Sequence, residues 1–88
     1  MTCGKNILLV EDEVLIAMDE RMSLEKYGYS VITATSGEQA VEEFRNRTDI
    51  DLVLMDIDLG HGIDGTEAAE TILQTREIPV VFLSSHIE

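Results

Sequence analysis

The sequence predicts an α/β fold, a doubly wound parallel sheet with helices on both faces. Three short apolar runs without polar alternation, at residues 7–10, 52–55 and 80–83, are typical of strands buried on both faces. Residues 29–35 (YSVITAT) alternate more and are rich in β-branched side chains, which predicts a strand nearer the sheet edge. Helical patterns separate the four segments, and this β-α-β-α-β-α-β order predicts parallel strands joined by right-handed crossovers.

The first helix is predicted to follow Asp12, a plausible N-cap, and to stop at Gly28. Apolar residues recur at helical spacing between these two positions. Methionines in this helix and in the third strand are interpreted as core packing residues because the methionine side chain fills irregular gaps. These are Met18, Met22 and Met55.

The second and third helices carry capping signals at their starts. Ser36 with Gln39 matches the capping-box pattern, and Asp64 with Glu67 resembles the same device. An apolar repeat at helical spacing follows each pair. The third helix is predicted to end near Arg76, ahead of a proline.

Length and charge limit the classes of function. With 88 residues the chain is one domain at most, and 18 acidic against 6 basic side chains give a formal charge of −12. Such a field repels nucleic-acid phosphates and attracts metal cations, which argues against nucleic-acid binding by this segment. Cys3 is the one cysteine, so no internal disulfide forms, and no apolar run approaches the ~18 residues of a membrane span. We therefore expect a cytoplasmic location without membrane contact.

Acidic and hydroxyl side chains follow the apolar runs, where ligands bind in sheets of this kind. The candidates are Glu11, Asp12 and Glu13 after the first run, Asp56 and Asp58 after the third strand, and Ser84 and Ser85 after the fourth. Crowded carboxylates destabilise one another unless a proton or a cation intervenes. Oxygen-only ligands suit a hard ion such as Mg²⁺, whereas two histidines in the whole chain argue against zinc.

Four segments resemble the receiver domains of two-component signalling. They are ILLVEDE (7–13), DLVLMDIDL (51–59), DGTEAA (64–69) and IPVVFLSS (78–85), and the similarity covers roughly residues 6–85. The resemblance implies a flavodoxin-like sheet with strand order 2-1-3-4. It also implies a phosphoacceptor module that takes a phosphoryl group from a histidine kinase or its phosphohistidine domain, rather than a conventional enzyme.

The same resemblance implies a role for individual residues. Glu11 and Asp12 would form the acid pocket that holds Mg²⁺, and Asp56 would be both the phosphoacceptor and a metal ligand. The main-chain carbonyl of Asp58 would also bind the metal. Ser84 matches the family's Ser or Thr whose hydroxyl bonds a phosphoryl oxygen.

Two departures from the family pattern affect these expectations. Family members have a fifth strand that ends in a phosphate-binding lysine, followed by a last helix, whereas the sequence given ends at Glu88. We therefore expect residues 1–88 to be a single receiver domain that is incomplete at its C-terminus. The fourth strand would then be an exposed apolar edge open to homodimerisation. Gly60 replaces the family's loop proline, in a glycine-rich loop that resembles receivers attached to PAS-containing hybrid sensor kinases.

Two alternative functions remain open at this point. Asp56 and Asp58 imitate the Asp-x-Asp nucleophile pair of haloacid-dehalogenase-type phosphatases, although that family places the pair after its first strand. The other alternative is a pseudo-receiver that is not phosphorylated and acts as a docking module. Steady turnover of a phosphomonoester would favour the phosphatase, and absence of Mg²⁺ binding would favour the docking module.

Overall fold

Four strands and three helices alternate along the chain in a computed structural model that describes residues 4–57 and 64–83. They are β1 (Asn6–Val10), α1 (Val14–Lys26), β2 (Ser30–Ala34), α2 (Gly37–Asn46), β3 (Leu52–Asp56), α3 (Gly65–Thr75) and β4 (Val80–Leu83). All strand pairs are parallel and the sheet order is β2-β1-β3-β4, which confirms the predicted fold and strand order. Within the described ranges, none of these helices has both the length and the apolar character that crossing a bilayer requires.

The main core lies between the sheet and the pair α2 and α3. Phe44 of α2 and Ile72 of α3 are 1% and 0% exposed and pack against alternate residues of the central strands. Full burial of one such side chain contributes roughly 1.5–3 kcal/mol. The strand residues in this cluster are Leu8, Val10, Ala34, Val53 and Met55. This packing fixes the register of β1 and β3, the two strands that carry most of the candidate acids.

The caps of α2 and α3 are those predicted. Ser36 Oγ accepts a hydrogen bond from the Gln39 amide at 3.1 Å, and Asp64 Oδ1 accepts one from the Glu67 amide at 2.9 Å. Each satisfies an N–H group that the helix itself leaves unpaired, which typically stabilises by ~1 kcal/mol. The third helix ends with Arg76 as its C-cap, as predicted.

The start of α1 differs from the prediction. Glu13, not Asp12, is the N-cap residue, and it makes no side-chain capping hydrogen bond. The Asp12 carboxylate lies instead beside those of Glu11 and Asp56. The predicted stop is confirmed, because Gly28 has a φ of 92° that favours glycine and its amide bonds to the Glu25 carbonyl at 3.0 Å.

The prediction that the helix methionines pack in the core is wrong. Met18 and Met22 are 54% and 59% exposed, whereas Met55 is fully buried as predicted. Helix α1 buries Ala17 and half-buries Leu24 against the sheet. Successive helix residues are 100° apart, so a methionine one position after Ala17 points away from the contact face.

Candidate metal centre

Two of the candidate acids lie side by side at the carboxyl ends of neighbouring parallel strands. Val10 of β1 pairs with Met55 of β3, so Glu11 and Asp56, each one residue further on, leave the same edge of the sheet together. Backbone hydrogen bonds continue past the strands on both sides. The Glu11 amide donates to the Ala34 carbonyl at 3.0 Å, and the amide after Asp56 donates to the Leu83 carbonyl at 3.1 Å. The main chain that carries both acids is therefore held by flanking strands.

Three carboxylates converge at this edge. One oxygen atom from each of Glu11, Asp12 and Asp56 lies within 4.8 Å of the other two. Glu11 is 2% exposed and Asp56 is 1% exposed, whereas Asp12 is exposed. The cluster thus combines two buried acids with one that faces solvent, and an ion could approach it from the solvent side.

Burial and neighbouring negative charge favour the protonated form of Glu11. Desolvation is the largest cause that raises its pKa, to about 7 from the ordinary 4.5. A side-chain hydrogen bond with Asp56 and the charge of that group raise the pKa further, as does Asp12. The Glu13 amide, which donates to Glu11 Oε2 at 3.2 Å, acts in the opposite direction.

The residues present fit a hard divalent cation. All three donors are carboxylate oxygens, and two of them have lost most of their contact with water. A bound cation would offset the repulsion that otherwise keeps a proton on Glu11 near neutral pH. Mg²⁺ typically binds one or two carboxylates and keeps several waters, which suits a cluster with one solvent-exposed member.

The N-terminus of α3 packs directly behind the phosphoacceptor candidate. Gly65 is buried, and its amide donates to the carbonyl oxygen of Ile57 at 3.4 Å. A side chain at this position would overlap the carbonyl oxygen of Asp56. Helix α3 and strand β4 therefore both contact the peptide that follows Asp56.

The structure brings together three of the five site residues predicted from sequence, namely Glu11, Asp12 and Asp56. Asp58 and Ser84 lie outside the described residues, so their predicted roles stay predictions.

Glu20 is a further acidic residue near the site that was not predicted from the sequence, and the charge of Asp56 acts on it. It lies on α1, its Oε1 is buried, and that atom has no hydrogen-bond partner within residues 4–57 and 64–83. Desolvation raises the Glu20 pKa, and the charges of Asp56 and Asp19 raise it further. The spacing Ala17, Glu20, Leu24 follows a helix face, and this pattern could have indicated the burial.

Comparison with known proteins assigns the family. Residues 7–88 match the family described as the response regulator receiver domain. The phyllosphere-induced regulator PhyR of Methylorubrum extorquens is 39% identical over 83 residues, covering 93% of this chain and 31% of that protein. The autoinducer 2 sensor kinase/phosphatase LuxQ of Vibrio cholerae is 43% identical over 75 residues, covering 85% of this chain and 8% of that protein. This chain spans about a third or less of the length of these curated relatives.

Solved structures agree with the sequence relatives. The N-terminal domain of a response regulator/sensory box/GGDEF three-domain protein from Carboxydothermus hydrogenoformans superposes with a TM-score of 0.90 at 49% identity, covering 96% of this chain and 67% of that one. The response regulator TrrA of Thermotoga maritima, solved in complex with Mg²⁺-BeF, has a TM-score of 0.86 at 34% identity. The match covers 93% of this chain and 70% of that one. With the 2-1-3-4 parallel sheet and the acid cluster at its edge, these matches show that the chain belongs to the response regulator receiver domain family, a family of signalling modules.

Proposed function

We propose that this receiver domain accepts a phosphoryl group on Asp56 from the phosphohistidine of a histidine kinase or of its phosphohistidine domain. The observation that carries the proposal is the convergence of Glu11, Asp12 and Asp56 within 4.8 Å at the carboxyl ends of β1 and β3. These acids would hold Mg²⁺. The structure of the Thermotoga maritima relative with Mg²⁺-BeF supports this choice of ion.

In phosphoryl transfer the protein contributes mainly the position of the reacting groups and the neutralisation of their charge. A carboxylate oxygen of Asp56 would attack the phosphorus in line, forming an O–P bond as the P–N bond of phosphohistidine breaks. The electron pair leaves with the imidazole nitrogen, which takes a proton from solvent. Mg²⁺, when bound, supplies positive charge that offsets the repulsion between the carboxylate and the phosphoryl oxygens. Pairing of β3 with β1 and β4 would hold the main chain that carries Asp56 in place for this attack.

Two further roles complete the proposal. The main-chain carbonyl of Asp58 would be a metal ligand, and the Ser84 hydroxyl would donate to a phosphoryl oxygen, as the family resemblance implies. Residues 1–88 would form one receiver domain, supported by the single sheet and the shared core cluster of the described residues. We propose a cytoplasmic location and no contact with nucleic acid or membrane by this segment, supported by its charge of −12.

The direct test is labelling with acetyl phosphate and Mg²⁺, followed by intact-mass spectrometry. The parent should gain one phosphoryl group in a base-labile linkage, and Asp56→Asn should gain none. Asp19→Asn is the matched control, because Asp19 is an exposed acid on α1, and it should label like the parent. Equal labelling of Asp56→Asn and the parent would contradict the proposal.

The same experiment separates the two alternative functions. Continuous release of phosphate from a phosphomonoester would indicate a phosphatase. Absence of labelling together with absence of Mg²⁺ binding by calorimetry would indicate a docking module that is not phosphorylated.

We also propose that the outer edge of β4 pairs with a second copy of the chain. In the described part of the chain, β4 is an edge strand, and its Val81 and Phe82 are 45% and 44% exposed. An apolar edge strand offers unpaired main-chain groups to another strand. Light scattering at increasing concentration should show a dimer that Val81→Lys weakens, and a parent that stays monomeric throughout would contradict this pairing.

A further inference from the structure

We propose that Gly65 is a positioning residue for Asp56: the absence of a side chain at this point lets the first turn of α3 seat against the phosphoacceptor peptide and fixes the carboxylate among the acids of the cluster. The inference rests on the proposed phosphoacceptor function and assigns a task to a residue that lies outside the acid cluster of Glu11, Asp12 and Asp56.

Contact distances exclude a side chain at position 65. An added Cβ would overlap the Asp56 carbonyl oxygen, and it would lie 3.1 Å from Ile57 Cα and 3.2 Å from the Asp56 carbonyl carbon. All three atoms belong to main chain, which cannot swing aside as the end of a flexible side chain can. Either α3 or the peptide after Asp56 would have to move.

Helix conformation does not explain the glycine. The glycines with positive φ among the described residues are Gly4 and Gly28, so Gly65 adopts angles that any residue tolerates. Alanine is the better helix former, and at a site without steric constraint Gly65→Ala would stabilise α3. Position 65 therefore requires glycine because there is no space for a side chain. If this is so, Gly65→Ala should destabilise the protein, whereas an effect on helix propensity alone would stabilise it.

The peptide between Asp56 and Ile57 has little freedom to yield. On its other side, Ile57 donates its amide to the Leu83 carbonyl at 3.1 Å, and Asp56 pairs in register with Leu83. Asp64 anchors the same turn of α3 through its capping bond to the Glu67 amide. The peptide is thus held between a capped helix turn and a neighbouring strand.

Displacement of this peptide would change the geometry of the acid cluster. The Asp56 side chain leaves the main chain directly before the contacted carbonyl, and its oxygen lies within 4.8 Å of oxygens from Glu11 and Asp12. A shift of a few tenths of an ångström matters at a site where ligand oxygens must fit one ion. Gly65→Ala should therefore weaken Mg²⁺ binding roughly tenfold, the scale typical of outer-shell changes.

The test compares Gly65→Ala with Ile72→Val in the full chain. Ile72 is a fully buried residue of the same helix, placed two turns from Gly65, so its truncation lowers the melting temperature without contacting the peptide after Asp56. Calorimetric titration with Mg²⁺ should show a roughly tenfold weaker affinity for Gly65→Ala and parent-like affinity for Ile72→Val. Parent-like affinity of Gly65→Ala, or equal weakening by both variants, would overturn the inference.

A metal-free measurement keeps this inference separate from the proposed function. Carbon-13 NMR of the side-chain carboxyl groups at fixed pH should show Glu11 and Asp56 resonances shifted in Gly65→Ala and unshifted in Ile72→Val. If the parent fails to bind Mg²⁺, the metal part of the proposed function fails, and the NMR comparison alone decides the role of Gly65. Unshifted Glu11 and Asp56 resonances in Gly65→Ala would overturn it.

Discussion

Glu11 and Asp56 contact each other at the carboxyl ends of two adjacent strands, and both side chains are almost fully buried, at 2% and 1% exposed. Two acids in such a place cannot both be charged without cost. Desolvation, together with the hydrogen bond and charge of Asp56, raises the pKa of Glu11 to about 7. A proton and a metal ion therefore compete for the same pair of carboxylates.

The first prediction is that Mg²⁺ affinity falls as the pH is lowered through 7. Below the Glu11 pKa of about 7 a proton must leave before the carboxylate can bind the ion. Affinity should fall by about tenfold per pH unit on the acid side, while it changes little above pH 8. Calorimetric titrations at pH 6, 7 and 8, in buffers of different ionisation enthalpy, would measure both the affinity and the proton released. Glu11→Gln should abolish the proton release, and pH-independent binding by the parent would contradict the prediction.

The second prediction concerns the stability of the metal-free protein. The folded-state pKa of Glu11 lies above the unfolded value of 4.5, so the folded state binds more protons between pH 4.5 and 7. The free energy of unfolding should then decrease as pH rises through this window, by on the order of 3 kcal/mol from this group at 1.36 kcal/mol per pKa unit. Urea unfolding in EDTA at several pH values would measure the slope, and the same series in excess Mg²⁺ should be flatter.

The third prediction is that Asp56→Asn stabilises the metal-free protein. Asparagine keeps the shape of the side chain and removes the charge that disfavours ionised Glu11. We expect the free energy of unfolding to be higher than that of the parent at pH 8, where Glu11 is ionised and its repulsion with Asp56 is largest. Glu42→Gln, at an exposed site on α2, is the control and should change stability little. A variant that unfolds at lower urea concentration than the parent would show that repulsion does not dominate at this site.

Sequence pattern predicts most of this fold because its strongest signals are local. The strands β1, β3 and β4 and the caps Ser36 and Asp64 are confirmed, and each depends on neighbouring residues alone. The predicted burial of β4 on both faces is wrong, because Val81 and Phe82 are 45% and 44% exposed. The convergence of Glu11 with Asp56 was also predictable, since parallel strands end at the same edge of a sheet.

The failures share a different physical cause. Met18 and Met22 are exposed because a different face of α1 lies on the sheet. Helical spacing of apolar residues is the same for a stripe on the contact face and for a stripe beside it, so the spacing alone does not identify the buried face. The burial of Glu20 follows from the same choice of face. The steric demand at Gly65 arises from a contact with a strand nine residues earlier, which no spacing rule encodes.

The fourth prediction is that Glu20→Met stabilises the protein. In the parent, Glu20 buries a carboxylate oxygen that has no hydrogen-bond partner within the described ranges. Burial of such an unpaired polar group typically costs about 1–3 kcal/mol, and the variant removes this cost. Desolvation raises the Glu20 pKa, so the folded state loses stability relative to the unfolded state as pH rises above the ordinary value of 4.5. The gain from Glu20→Met should thus be larger at pH 8 than at pH 5. Urea unfolding at both pH values would test it, with Glu42→Met, at an exposed site on α2, as the control.

The last prediction concerns Arg76, the C-cap of α3, which contacts Phe44 of α2 and Ile50 in the loop before β3. Its guanidinium lies 4.4 Å from the centre of the Phe44 ring, and its Nη2 donates to the Ile50 carbonyl at 3.1 Å. A cation–π contact contributes ~0.5–2 kcal/mol, and a hydrogen bond from a charged group contributes a similar amount. Arg76→Met keeps much of the apolar stem but loses both interactions, so it should lower the free energy of unfolding by about 1–3 kcal/mol. Mg²⁺ affinity should stay unchanged because no atom of Arg76 belongs to the acid cluster. A loss of Mg²⁺ affinity in Arg76→Met would contradict this prediction. Arg45→Met, an exposed arginine on α2, should change neither property.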